Sequence, residues 1–159
     1  MEWLLVLVLL CLGAFAVVIF YGAPYLPTLR PQIQTAFELL QLKPGQTLLE
    51  LGSGDGKVLV AAAEAGYNAV GIELNPLLAL VSWLRTRRYG NQVRVVWGNY
   101  WQLGWPDADG VFVFLLDSYM SKLDKKMIQY RKPIVSVAFR IPNRSVKAQK
   151  NGVFLYVYR

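Results

Sequence analysis

The stretch Glu50-Leu51-Gly52-Ser53-Gly54-Asp55-Gly56-Lys57 constrains this chain more than any other. It overlaps a short apolar run, Thr47–Leu51, that reads as a buried strand. It leads into residues 57–65, which read as a helix ended by Gly66. Alternating glycines let the backbone turn sharply from strand to helix and come close to a ligand. The first N–H groups of that helix have no partners within it, so they favour an anionic group such as a carboxylate.

Three ligand classes compete for such a loop. A phosphate-cradling P-loop needs Ser or Thr after its Gly-Lys, but Lys57 is followed by Val58. The dinucleotide fingerprint puts its third glycine three positions after the second, and position 57 is lysine. It would also bring a pyrophosphate against Asp55. The tighter Gly-x-Gly-x-Gly spacing, with carboxylates at Glu50 and Asp55, suits a cationic or zwitterionic ligand. S-adenosylmethionine carries both an ammonium and a carboxylate. Glu73 adds to this choice: it ends the next predicted strand, about 20 residues on, where an acidic side chain can accept both ribose hydroxyls. Asn99, after the third strand, is placed to hydrogen-bond an adenine edge.

The remaining pattern alternates. A helix near 30–42 carries Ile33, Ala36, Phe37 and Leu40 at helical spacing, and Lys43-Pro44-Gly45 is a turn. Residues 69–73 read as a strand, and Asn75-Pro76 as an N-cap with proline at the first helical position. That helix is expected to reach Arg88. Strands are expected at Val93–Trp97 and 111–116, with a Gly/Pro/Asp-containing loop over 98–110. Ser118 is expected to cap a helix over 119–130 whose apolar face is Met120, Leu123 and Met127, and strands at 134–139 and 153–158 close the chain. Strands alternating with helices predict an α/β fold with a doubly wound, mostly parallel sheet. The loops after Leu51, Glu73, Trp97 and Leu116 then share the rim where such sheets bind ligands.

From Trp3 to Tyr21 there is no charged residue. Nineteen helical residues rise roughly 28 Å, about the thickness of a bilayer's hydrocarbon core. Trp3 and Tyr21 stand at the two ends, where aromatic rings favour the interface. The flanks do not suit a cleaved signal peptide, because the only charged side chain before the run is Glu2. The expected organisation is a transmembrane anchor over 1–21, a connector and pre-domain helix over 22–46, and the catalytic domain over 47–159. The first basic residue after the run is Arg30, which places that domain on the cytoplasmic side or an equivalent one such as the mitochondrial matrix.

Composition narrows the chemistry. There is no histidine and one cysteine, Cys11, so His-based triads, an internal disulfide and nearly all catalytic zinc sites are excluded, and no metal site is expected. The net charge of +7 is unevenly spread. Residues 22–117 carry seven basic and eight acidic side chains, whereas 118–159 carry ten basic and one acidic. Lys122, Lys125 and Lys126 are expected on the polar side of their helix. Contact with anionic lipid is favoured for this basic segment over a solubilising face or nucleic acid, since no RNA- or DNA-binding motif accompanies it.

Residues 48–76, with Leu-Glu-Leu-Gly-Ser-Gly-Asp-Gly and Gly-Ile-Glu-Leu-Asn-Pro, resemble the cofactor half of seven-β-strand methyltransferases. Pro24-Tyr25-Leu26-Pro27-Thr28, Asn99-Tyr100-Trp101, 120–126 and Phe139-Arg140-Ile141-Pro142 narrow the match. In that order, behind an apolar N-terminus, they resemble the membrane-associated protein-lysine methyltransferases of the ATP synthase c-subunit and the adenine nucleotide translocase. The resemblance implies a Rossmann-like methyltransferase fold with an N-terminal transmembrane helix, S-adenosylmethionine as cofactor, and a lysine of a membrane protein as acceptor. It places Glu50, Gly52, Gly54, Asp55, Glu73 and Asn75 on the cofactor motif. Ser53, Gly56, Leu74, Asn99 and Tyr100 complete the candidate cofactor set. Tyr25 and Thr28 fall on a motif that lies against the cofactor. The chain departs from the family at Asn99, where an acidic residue is expected, and at Asp117-Ser118, where relatives are less polar.

Methyl transfer to lysine needs a neutral amine, and free lysine has a pKa of about 10.4. Without histidine, Asp117 and Tyr119 are the candidates for orienting that amine. Positioning alone can supply several kcal/mol of the barrier.

Overall fold

A computed structural model describes residues 2–9, 13 and 27–158. Residues 2–9 are helical and exposed. Among the described residues no helix is long and apolar enough to cross a membrane. Most of the expected anchor lies outside the described residues, as do Cys11 and Tyr25.

The chain from residue 30 alternates helix and strand: α1 (Arg30–Leu40), β1 (Thr47–Leu51), α2 (Lys57–Glu64), β2 (Asn68–Glu73), α3 (Pro76–Thr86), β3 (Val93–Trp97), β4 (Gly110–Val113), α4 (Met120–Tyr130), β5 (Ile134–Val137), β6 (Ala148–Lys150) and β7 (Val153–Tyr156). The seven strands form one sheet in the order β3-β2-β1-β4-β5-β7-β6. β1 to β5 pair in parallel, and β7 runs antiparallel to both β5 and β6. After β1 the chain winds outward through β2 and β3, then returns to β4 on the other side of β1. That reversal opens a crevice beyond the carboxyl ends of β1 and β4.

Both faces of the sheet are covered, so its central strands are apolar without alternation. Leu48, Ala69, Phe112 and Val135 pack with Ile33, Ala36, Val58 and Leu59 from α1 and α2. Leu49, Leu51, Val111, Val113 and Ile134 pack on the other face with Met120, Leu123 and Met127 of α4. The first face carries three helices: α1 over β5 and β7, α2 over β1 and β2, and α3 over β2 and β3. The second has α4 and, in place of another helix, the β3–β4 connection, which packs Tyr100, Trp101, Leu103 and Trp105 against the core.

Several expectations need correction. The fourth strand ends at Val113, not 116, and the fifth at Val137, not 139. The fifth stops because Ala138 turns to a left-handed φ of 67° and Phe139 N–H bonds back to the Val137 carbonyl at 2.9 Å. The last strand ends at Tyr156, not 158, and the three-residue β6 was not expected. Ser118 caps nothing: Asp117–Tyr119 form a 3₁₀ turn that runs directly into α4, leaving no extended residue at the helix start. Lys126 leaves the polar side of α4. Its ammonium reaches the carbonyls of Tyr100 at 2.7 Å, Leu103 at 3.3 Å and Trp101 at 3.4 Å.

Candidate active site

The glycine turn after β1 is built as its composition demands. Gly52, Gly54 and Gly56 all take left-handed φ, at 81°, 53° and 78°. A side chain there would be strained, because Cβ crowds the carbonyl in that region. Gly52 and Ser53 both donate their N–H to the Ile72 carbonyl, at 2.8 and 3.2 Å, which binds the end of β1 to the end of β2. A Cβ at Gly52 would meet nothing within 4 Å, so the backbone there borders open space. Gly71 of β2 lies beneath the turn, and a Cβ on it would stand 2.6 Å from Ser53 Cβ.

Three carboxylates surround this turn. Glu73 is buried, its Oε2 accepting Gly54 N–H at 2.7 Å and its Oε1 accepting Asn75 N–H at 2.8 Å. Asn75 in turn caps α3 through Oδ1, which accepts from Leu77 N at 2.9 Å and Leu78 N at 3.3 Å. Asp55 accepts Lys57 N–H at 3.2 Å and pairs with the Arg85 guanidinium of α3. Glu50 is buried, and its Oε2 has no hydrogen-bond partner among the described residues. Burial pushes its carboxyl well above the usual range, and the charges of Glu73 and Asp55 push it further. A buried carboxyl without a partner is costly once ionised, and a cation placed beside it would remove that cost.

The other candidates differ in their surroundings. Ser53 is buried with its Oγ unpartnered among the described residues, and Gly56 packs against Ser82 of α3. The half-buried Leu74 offers its carbonyl to the Trp97 indole at 3.0 Å. Asn99 uses Oδ1 to accept Trp101 N–H at 2.9 Å, so part of its amide is committed to the turn. Tyr100 is buried, and its hydroxyl is pushed up first by burial, then by Tyr119 and Glu73. Tyr119 is half-buried with its ring 6.0 Å from that of Trp101, whereas Asp117 is exposed and has no side-chain hydrogen bond among the described residues. Thr28 is buried ahead of α1.

Two contacts near the candidate site are not legible in the sequence. Arg85 lies thirty positions from Asp55, at no motif spacing. Lys126 sits among three carbonyls with its ammonium 4.7 Å from the Trp105 ring centroid, and burial, then Lys122, lower its pKa. Lys122 stands 4.5 Å above the Trp101 ring. Among the described residues no group of His, Cys, Asp and Glu is arranged to hold a metal ion.

The strand order, the glycine turn and the acidic end of β2 define a seven-stranded Rossmann-like methyltransferase, a class whose methyl donor is S-adenosylmethionine. An RNA methyltransferase from Salinibacter ruber, solved with S-adenosyl-L-homocysteine, superposes with a TM-score of 0.74 at 26% identity, over 84% of this chain and 92% of that one. Residues 50–148 match the ANTKMT methyltransferase domain, and the chain belongs to that family. It is 31% identical over 125 residues to the ATP synthase c-subunit lysine N-methyltransferase of Xenopus laevis, covering 76% of this chain and 55% of that protein. It is 33% identical over 126 residues to the adenine nucleotide translocase lysine N-methyltransferase of Mus musculus, covering 75% and 54%. The chain thus spans about half the length of these two relatives.

Proposed function

We propose that this chain transfers a methyl group from S-adenosylmethionine to a lysine amine of a membrane protein, with residues 1–21 holding it at the membrane. The observation that carries this reading is the trio of carboxylates, Glu50, Asp55 and Glu73, around a glycine turn open at Gly52. The donor set fits the cofactor. Glu50 provides a buried anionic partner for its positive charge, and Glu73 keeps a second lone pair on each oxygen for the ribose hydroxyls. Asp55, on the turn after β1, and Asn99 and Tyr100, on the connection after β3, complete the proposed set. Bound there, the cofactor supplies a methyl group already activated by its sulfonium, so no side chain need generate the electrophile.

The chain's own task is to present a neutral amine. Tyr119 and the exposed Asp117 lie past the end of β4 and orient it, beside the aromatic surface of Trp101. Partial burial of the incoming ammonium lowers its pKa and eases loss of the proton to solvent. The names of the two relatives support a lysine acceptor. The exposed, apolar, helical residues 3–9 support the anchor.

A second reading is methylation of an apolar small molecule. It is favoured by 34% identity over 104 residues to 24-methylenesterol C-methyltransferase 2 of Oryza sativa, although only 29% of that protein is covered. Incubating membranes with radioactive S-adenosylmethionine separates the two. A labelled protein band that disappears with Asp55→Ala supports lysine transfer, and label confined to the lipid extract overturns it.

A further inference from the structure

Helix α3 is packed inside out. Its inward side is made of small residues: Ala79, Ser82 and Thr86 are buried, and Ser82 lies so close to α2 that a Cβ on Gly56 would meet its Oγ at 2.5 Å. Leu77, Leu80, Val81 and Leu84 have the i, i+3, i+4, i+7 spacing of a core-facing stripe. Yet they are 43%, 51%, 41% and 45% exposed. Opposite the buried stripe, they form a continuous aliphatic ridge. Trp97, 68% exposed at the end of edge strand β3, extends it toward the rim, its indole held by the Leu74 carbonyl.

A ridge of this kind on a small domain marks a docking surface. We propose that it rests in the interfacial layer of an anionic lipid bilayer. Charge selects this occupant. From Pro76 to Pro106 there are four arginines and no acidic residue. The neighbouring carboxylates Asp55 and Glu64 are paired with Arg85 and Arg88. Among the described residues Arg87 and Arg94 have no ion pair, so the edge is net positive. Aliphatic side chains flanked by arginine and tryptophan suit the headgroup boundary, where apolar burial and attraction to anionic lipid act together. A second copy would bring together two basic edges of a chain carrying +7. The N-terminal segment leads into α1, which lies over β5 and β7, with α2 between it and α3. Docking at α3 would turn the rim's Trp97 end toward the bilayer.

The test uses the full chain with Cys11→Ser and one engineered cysteine carrying an environment-sensitive fluorophore. Leu84→Cys samples the ridge, and Gln129→Cys, exposed on α4 across the sheet, samples the basic segment whose expected lipid contact this docking would replace. Phosphatidylcholine vesicles with and without phosphatidylglycerol carry a doxyl-labelled lipid as quencher. The expected result is a blue shift and several-fold stronger quenching at position 84 with phosphatidylglycerol, and little change at 129. A label at 84 that stays in water on vesicle-bound protein overturns the proposal. So does one already shielded before vesicles are added, which would assign the ridge to the N-terminal segment or a second copy. The readout is lipid proximity, not methyl transfer, so its failure leaves the proposed reaction standing.

Discussion

The Glu73 carboxylate accepts the Gly54 N–H at 2.7 Å, so the end of β2 holds the glycine turn that follows β1. Its other oxygen accepts Asn75 N–H at 2.8 Å, and the same side chain therefore fixes the start of α3. One buried group sets the geometry of the turn after β1 and of the start of α3.

Glu73→Gln retains the size but leaves only one acceptor for two N–H donors. Its NH₂ would face a backbone N–H. Hydrogen bonds to a charged partner are worth about 1.5–3 kcal/mol, so a loss of about 1–3 kcal/mol in unfolding free energy is expected. Cofactor affinity should fall at least about tenfold, since the turn loses its shape as well as an acceptor. Urea denaturation and calorimetry measure the two effects. An unchanged affinity would remove Glu73 from the site.

Gly71 and Gly52 separate close packing from backbone strain. Alanine at 71 would place Cβ 2.6 Å from Leu59 Cδ1 and from Ser53 Cβ, and overpacking of this kind costs typically ~1–3 kcal/mol. Alanine at 52 meets no atom but must hold a φ of 81°, a cost of roughly 1–2 kcal/mol. Both variants are expected to lose stability. Only Gly52→Ala projects into the open space assigned to the cofactor, so its affinity should fall further than its stability does.

How much of this was legible in the sequence depends on where the ordering force lies. β1 and β3 are legible to the residue because each is a mostly apolar run closed by turn residues. The Asn75 cap and Pro76 were equally local. The ends of β4 and β5 are not legible, because Leu115-Leu116 and Ala138-Phe139 continue the apolar pattern after the ladder has ended. β6 is a polar, mostly exposed edge strand with no period to reveal it. Its signal was the turn: Asn151-Gly152, with φ of 49° and 72°, is the preferred two-residue hairpin connection. The glycine turn and Glu73 were recognisable as a pair, but the orphaned Glu50 oxygen and the Asp55–Arg85 pair depend on tertiary packing. The ridge on α3 shows the same limit, because its spacing is that of a core face and only its neighbours turn it outward.

Lys126 organises the β3–β4 connection from outside it. Lys126→Met keeps most of the side-chain volume but removes the donors that reach the carbonyls of Tyr100, Trp101 and Leu103. Faster amide exchange over 98–105 is expected, with the sheet unaffected, and a stability loss of about 1–2 kcal/mol. Lys125→Met, on the exposed side of α4, should change either quantity little. Equal exchange in both variants would mean that the aromatic packing alone holds the connection.

Glu50 gives opposite signs for stability and binding. Its folded pKa is raised above the unfolded value of about 4.3, chiefly by burial and then by Glu73 and Asp55. Its contribution to stability is therefore fully present below pH 4.3 or so, and is lost as pH rises through the folded pKa. Glu50→Gln cannot ionise. In the free protein it should be more stable than wild type at neutral pH, with the difference vanishing in acid. Binding a cationic ligand reverses the preference, because only ionised Glu50 attracts it. Wild-type affinity should rise with pH across the same window, with protons released on binding, and calorimetry in buffers of different protonation enthalpy would count them. Glu50→Gln should bind more weakly and release none. A variant that loses stability at neutral pH yet keeps full affinity would show that Glu50 serves the fold and not the ligand.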